Sequence, residues 1–174
     1  MPFITGAFSE ANKLELESSI KTLKGLKGGV EEIINNTEEE LEYMLPLRFK
    51  KGKISEVEYK KMLQQNEDEL AKSKQSLVSI NQKLERFEAL VKNGKSSIVI
   101  QNDTTQDDLK HLTNVVRNRL KTPLNNNEQL FLESVLEKAE ACLNRLKENK
   151  TPSSNSIPIL DDELKYWQIL TSKW

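Results

Sequence analysis

The sequence predicts an all-α protein, an elongated helical bundle built around one long, heptad-patterned, coiled-coil-like helix. Three observations support this class. Leucine or valine recurs every seven residues in the middle of the chain, 174 residues include only six glycines and five prolines, and 30% of residues are charged. Such a composition is typical of helices with long exposed faces. The seven-residue spacing places the apolar side chains on one stripe of a helix.

The long helix is predicted from Ser55 to about Lys92. Ser55 and Glu58 form a capping box, and neither glycine nor proline interrupts residues 53–93. Polar residues, Asn66 and Ser73, occupy two positions of the heptad pattern and weaken it. The other positions form the predicted coiled-coil seam, which comprises Leu63, Leu70, Leu77, Ile80, Leu84, Phe87 and Val91.

This seam needs a second helix along its length. One interpretation is antiparallel packing against flanking helices of the same chain. The alternative is a parallel homodimer, in which Glu69 and Lys83 of one copy would face Lys74 and Glu88 of the other. Exposed ion pairs of this kind add well under about 1 kcal/mol each. Both interpretations therefore stay open.

Before the long helix, the sequence predicts helices with interruptions. The first helix begins near Ser9 and carries an apolar stripe, but three glycines within residues 25–29 favour a kink or a break. The segment Asn35–Thr37 is typical of a helix stop and restart. Pro46 then ends or kinks the following short helix.

After the long helix, residues 96–101 form the only β-like run in the sequence. A single short strand is not stable alone, so we interpret it as an extended loop or as an edge that pairs with a partner. A helical hairpin is predicted over about 105–149. Together with the preceding helices, it completes a body that spans residues 1–149.

The C-terminal region is predicted to be a polar linker over 150–158 and an amphipathic docking helix over 159–174. Both tryptophans of the protein lie in its last eight residues. Short helices with aromatic anchors commonly bind grooves on partners. The alternative is that the helix folds back onto its own bundle. The candidate partner-binding residues are Leu164, Trp167, Leu170 and Trp174.

Composition narrows the function classes. Basic and acidic residues nearly cancel, at 26 and 27, so no global field draws the protein to polyanions. With no signal peptide or apolar span in the sequence, we expect a cytoplasmic protein that does not bind membranes. Cys142 is the only cysteine and lies at helical spacing with apolar residues, which predicts a buried thiol. His111 is the only histidine and is interpreted as a boundary residue.

These observations favour a non-catalytic adaptor or assembly protein that binds partners or itself through apolar helix stripes. We expect no catalytic residues, no cofactor and no metal site, because no motif for that chemistry is present. The alternative is a nucleic-acid-associated regulator with a basic patch around residues 48–61. Gly52 and Ser55 interrupt any continuous basic helix there. The candidate nucleic-acid contacts are Arg48, Lys50, Lys51 and Lys53.

Overall fold

The computed structural model describes residues 3–149, 155–172 and 174, and the prediction of a mostly helical protein is confirmed. The chain divides into two compact units. The hairpin unit comprises Ser19–Glu85, and the sheet unit comprises the residues up to Ser18 together with Arg86–Trp174. Two long helices, α1 (Glu10–Glu39) and α3 (Glu56–Asn93), contribute residues to both units.

The hairpin unit begins with an unbroken helical run. After α1 come a π-helical turn, Glu40–Met44, and helix α2, Leu45–Lys50. The predicted breaks at the glycines and at Asn35–Thr37 are wrong. The Thr37 hydroxyl instead donates to the Ile33 carbonyl at 2.7 Å inside the helix. Pro46 is accommodated directly after the π-helical turn, a place where one helical turn is already widened.

The chain reverses direction after α2 and enters α3. Gly52 adopts a left-handed backbone with φ +67°, which glycine tolerates without strain. The predicted capping box follows, with the Glu58 amide donating to the Ser55 hydroxyl at 3.2 Å and the Ser55 amide donating to the Glu58 carboxylate at 2.8 Å. Helix α3 then runs for 38 residues.

The sheet unit contains a three-stranded antiparallel sheet that the sequence analysis did not anticipate. Its strands are β1 (Phe3–Ala7), β2 (Ser96–Ile100) and β3 (Ser156–Ile159), in the order β1-β2-β3. Phe3 lies opposite Ile100, and Ile98 lies opposite Ile157. The interpretation of residues 96–101 as a loop or a partner-binding edge is therefore wrong, because both neighbouring strands come from this chain.

The core of the sheet unit lies between one face of this sheet and helices α4 (Gln106–Leu120), α5 (Asn126–Lys147) and α6 (Asp161–Thr171). Alternate strand residues point to this face. Buried side chains from strands and helices form one cluster, which includes Phe3, Ile98, Ile100, Leu109, Leu112, Val116, Phe131, Leu132, Val135, Ile157, Ile159 and Trp167.

The ends of the two long helices contact the residues of strand β3 that alternate with its core residues. The Asn12 side-chain amide, in α1, donates to the Ser156 hydroxyl at 3.0 Å. The Arg86 guanidinium, in α3, lies 3.5 Å from the Pro158 carbonyl oxygen. Because Ser156 and Pro158 alternate with the core residues Ile157 and Ile159, these bonds engage residues that do not point into the core.

The transition from α3 to β2 depends on Gly94. Its amide donates to the Leu90 carbonyl at 2.8 Å. A Cβ at this position would lie 2.3 Å from that carbonyl oxygen and 3.2 Å from the Phe8 ring. Leu90 is fully buried, so the backbone around it has little room to shift.

We expect Gly94→Ala to lower the free energy of unfolding by about 1–3 kcal/mol, because the added methyl group overpacks a fixed backbone turn. Urea unfolding followed by tryptophan fluorescence measures this, since both tryptophans belong to the sheet unit. Gly28→Ala is the control, because its Cβ would meet no atom within 4 Å. It should stabilise helix α1 by about 0.5–1 kcal/mol, measured by circular dichroism. An unchanged midpoint for Gly94→Ala would contradict the close approach.

Candidate functional site: the hairpin tip

The predicted partner-binding face of the C-terminal helix is covered by the chain itself. Trp167 is 6% exposed, and its ring meets Phe3 edge-to-face at 5.5 Å. Trp174 meets the same Phe3 ring at 5.3 Å. Leu164 and Leu170 pack against the same core. Of the alternatives that the sequence left open, the structure shows the helix folded back onto its own unit.

The predicted linker is also partly structured. Residues 150–154 lie outside the described residues, whereas Ser156–Ile159 form strand β3. This strand forms because Ile157 and Ile159, which alternate with half-buried residues, both point into the core. The two buried isoleucines hold the short strand against β2.

A buried ion pair holds α6 in place. The Arg86 Nε donates to Glu163 Oε1 at 3.0 Å, and the Arg86 Nη2 donates to Oε2 at 3.3 Å. Both side chains are almost inaccessible, at 4% and 1% exposure. The Leu160 amide donates to Glu163 Oε2 at 3.0 Å, which ties the carboxylate to the start of the helix. Burial raises the pKa of Glu163, while the Arg86 charge and these hydrogen bonds oppose that shift.

The predicted seam residues differ in burial along α3. Leu84 is buried, and the other seam residues named from the sequence are half-buried. Within the hairpin unit, Lys74 forms an ion pair with Glu38 of α1 at 2.9 Å. A parallel homodimer would instead pair Lys74 with Glu69 of another copy. This contact between the two helices of one chain therefore favours the intrachain interpretation, although an exposed pair contributes little energy.

The predicted basic residues lie at the end of the hairpin, in a region that we call the hairpin tip, residues 40–59. Arg48 forms an ion pair with Glu40 of the π-helical turn. Among the described residues, no ion pair engages Lys50, Lys51 or Lys53. These three lysines and Gly52 surround the chain reversal, and all four residues are exposed.

The hairpin tip also exposes a group of large apolar side chains. Their exposure ranges from 40% to 78%. Exposed apolar groups rimmed by polar residues commonly mark interaction sites. They come from the π-helical turn, from α2 and from the first turn of α3, and comprise Tyr43, Met44, Leu47, Phe49 and Val57.

Two local contacts position the hairpin tip. The Phe49 ring stacks on the Tyr59 ring, with centroids 4.6 Å apart and an interplanar angle of 26°. Leu45 is fully buried, although it lies between the exposed Met44 and Leu47 in the sequence. The apolar side chains of the tip thus sit on an anchored helix end, and binding a partner would order few additional residues.

Charges of both signs lie near the hairpin tip. Residues 38–61 contain six carboxylates, at positions 38, 39, 40, 42, 56 and 58, and six cations, at positions 48, 50, 51, 53, 60 and 61, so the formal charges cancel. Residues 45–55 contain four of the cations and no acid. The basic end therefore lies between an acidic flank, residues 38–44, and a flank of mixed charge, residues 56–61.

The sequence predicted the basic residues of this site but not the exposure of its apolar ones. The spacing of Leu41, Met44, Leu45 and Phe49 predicts the apolar stripe of a short helix, and such a stripe normally faces a core. The signal available in the sequence was the apolar Leu47 and Phe49 alternating with Arg48 and Lys50 next to a glycine turn. A helix end there leaves too few neighbours to cover both apolar residues.

Cys142 and His111 belong to the sheet unit. Cys142 is buried, as predicted, and burial raises the pKa of its thiol. It lines a cavity of about 260 Å³ together with Ile100 and Asn155. The exposed His111 ring lies 4.7 Å from the Trp174 ring in an edge-to-face arrangement.

Comparison with protein-family models, with curated proteins and with solved structures finds no match to this chain. The fold and the site define the class: a mostly helical protein with a small antiparallel sheet and an exposed apolar hairpin tip. Every helix in the described part of the chain is too short or too polar to cross a lipid bilayer.

We expect Arg86→Met to lower the free energy of unfolding by about 3–5 kcal/mol at neutral pH, because the buried carboxylate loses the guanidinium that faces it. The loss should shrink as pH falls toward 4.5, the ordinary pKa of Glu163. Above that pH, Glu163 binds fewer protons in the unfolded chain than in the folded one. The free energy of unfolding therefore falls as pH rises through the raised pKa of the folded residue. Urea unfolding by tryptophan fluorescence from about pH 4 to about pH 8 measures this.

The double variant Arg86→Met/Glu163→Gln should recover much of the loss and remove its pH dependence, since no buried carboxylate remains. Arg117→Met is the matched control, because the Arg117–Glu140 pair is about half exposed, and its effect should stay under about 1 kcal/mol. Strictly additive losses in the double variant would show that the two buried side chains are not coupled.

Proposed function

We propose that this protein is a non-catalytic helical adaptor that binds a protein partner through its hairpin tip. The observation that carries this proposal is the concentration of exposed large apolar side chains at residues 43–57. Burying such side chains in a complex removes apolar surface from water, which drives most protein association. Tyrosine, methionine and phenylalanine are also enriched in protein interfaces.

The charge pattern supports a protein partner over a nucleic acid. A polyanion that approaches the three lysines also meets the carboxylates of the flanks, and the formal charges of residues 38–61 cancel. A protein surface can present charges of both signs in matching places. Binding of nucleic acid depends instead on net neutralisation of phosphates.

One observation that supports the non-catalytic part of the proposal is the chemistry of Cys142. Burial raises the pKa of its thiol, which disfavours the reactive thiolate.

The test uses a lysine-reactive cross-linker and two surface variants. Proteins cross-linked to the full chain are identified, purified and titrated against it by calorimetry. Met44→Ser/Leu47→Ser should weaken binding by about tenfold or more, since central apolar contacts contribute over 1 kcal/mol each. Val78→Ser is the matched control, because Val78 is an apolar residue of α3 that is 57% exposed outside the tip, and its affinity should equal that of the unmodified chain.

Cross-links should map to Lys50, Lys51 or Lys53. Equal affinity of the tip variant and the unmodified chain for the purified partner would contradict the proposal. Retention on DNA or RNA at low salt, lost in Lys50→Gln/Lys51→Gln/Lys53→Gln, would favour the nucleic-acid alternative instead.

A further inference from the structure

The two edges of the sheet differ in how they are protected. Strand β3 carries Pro158, which has no amide proton, and the Arg86 guanidinium approaches its carbonyl oxygen. Strand β1 has the sequence FITGA, without a charge or a proline. Charges, prolines and covering elements are the usual means by which proteins keep sheet edges from pairing. The β1 edge carries neither a charge nor a proline, and its residues Ile4, Thr5 and Ala7 are exposed.

The hydrogen-bond pattern identifies which backbone groups of β1 point outward. The Ile100 amide donates to Asn155, beside β3, and the Phe8 amide donates to Lys95. In an antiparallel ladder, alternate residues direct both backbone groups to the same neighbour. Ile4 and Gly6 therefore bond to β2. Phe3 and Thr5 direct their amide and carbonyl groups away from the sheet, and so does the amide of Ala7, whereas the Ala7 carbonyl accepts a hydrogen bond from the Ser97 hydroxyl of β2 at 3.2 Å.

This edge is complementary to a second copy of itself. In an antiparallel β1–β1′ pair centred on Thr5, each Phe3 lies opposite the small Ala7 of the other copy, and each Ile4 lies opposite Gly6. Thr5 lies opposite Thr5, a favourable cross-strand pair. A charged residue at the centre of the pair would face the same charge on the other copy. Strand β1 contains no charged residue.

From these observations we infer that β1 is a dimerisation strand. Two copies of this chain pair their β1 edges in antiparallel orientation and form one continuous six-stranded sheet, with about four new backbone hydrogen bonds. The inference is independent of the hairpin tip and of the heptad seam.

Sedimentation equilibrium of the full chain tests this inference over micromolar to high-micromolar concentrations. The unmodified chain should show a concentration-dependent monomer–dimer equilibrium. Thr5→Lys and Thr5→Glu should each weaken the dimer by about tenfold, because like charges meet at the two-fold axis. An equimolar mixture of the two variants should dimerise again as a heterodimer. Thr5→Val, which keeps the backbone amide, is the matched control and should dimerise like the unmodified chain.

Thr5→Pro provides a second way to block the edge. Its outward amide bonds to nothing in β2, so proline is tolerated there, and unchanged tryptophan fluorescence would show that the sheet unit is folded. A monomeric unmodified chain would overturn the inference. So would a dimer that Thr5→Lys and Thr5→Pro leave intact. Binding of an extended peptide to a chain that remains monomeric would also overturn it and assign the edge to another protein.

Discussion

The buried ion pair between Arg86 and Glu163 constrains three elements of the sheet unit at once. It joins residues 77 positions apart and connects the end of α3 to α6, while the same guanidinium reaches the carbonyl of β3. Taking two charges out of water is costly, and only close geometry with further hydrogen bonds offsets that cost. The Leu160 amide supplies such a bond. The position of α6, and with it the burial of Trp167, therefore depends on an interaction that is favourable only when every partner is in place.

The parts of the fold that the sequence could predict are those determined by local chemistry. The capping box at Ser55 and Glu58 and the uninterrupted heptad pattern together define α3 to within about a residue of its observed ends. Thr105 and Asp108 likewise cap α4. The glycines of α1 misled the prediction, because an intrinsic helix penalty of about 1 kcal/mol each weakens a helix without ending it. Gly25, Gly28 and Gly29 are exposed, and helix formation is cooperative, so residues on both sides carry the helix through them.

The sheet could not be predicted in the same way. Its strands have four or five residues each and come from the beginning, middle and end of the chain. Phe3 pairs with Ile100, and no local signal in FITGA or SIPI reveals a partner so distant in sequence. The same reason explains the error at the C-terminal helix. An amphipathic stripe with tryptophans has the same appearance whether its groove belongs to another protein or to its own chain. Here the groove is formed partly by Phe3, from a strand that the sequence did not reveal.

The hairpin tip illustrates a constraint on the end of any two-helix hairpin. Leu45 is fully buried while Met44 and Leu47 are exposed, because a two-helix hairpin can cover only one side of each helix. Apolar residues on the uncovered side stay in contact with water, and such exposed groups commonly mark interaction sites. Lys50, Lys51 and Lys53 give the same helix end a positive charge. If the hairpin tip binds a protein partner as proposed, a partner that covers Leu47 must also come close to these lysines. It would therefore combine an apolar contact with acidic residues at its margin, since a buried lysine without a counter-charge would oppose binding.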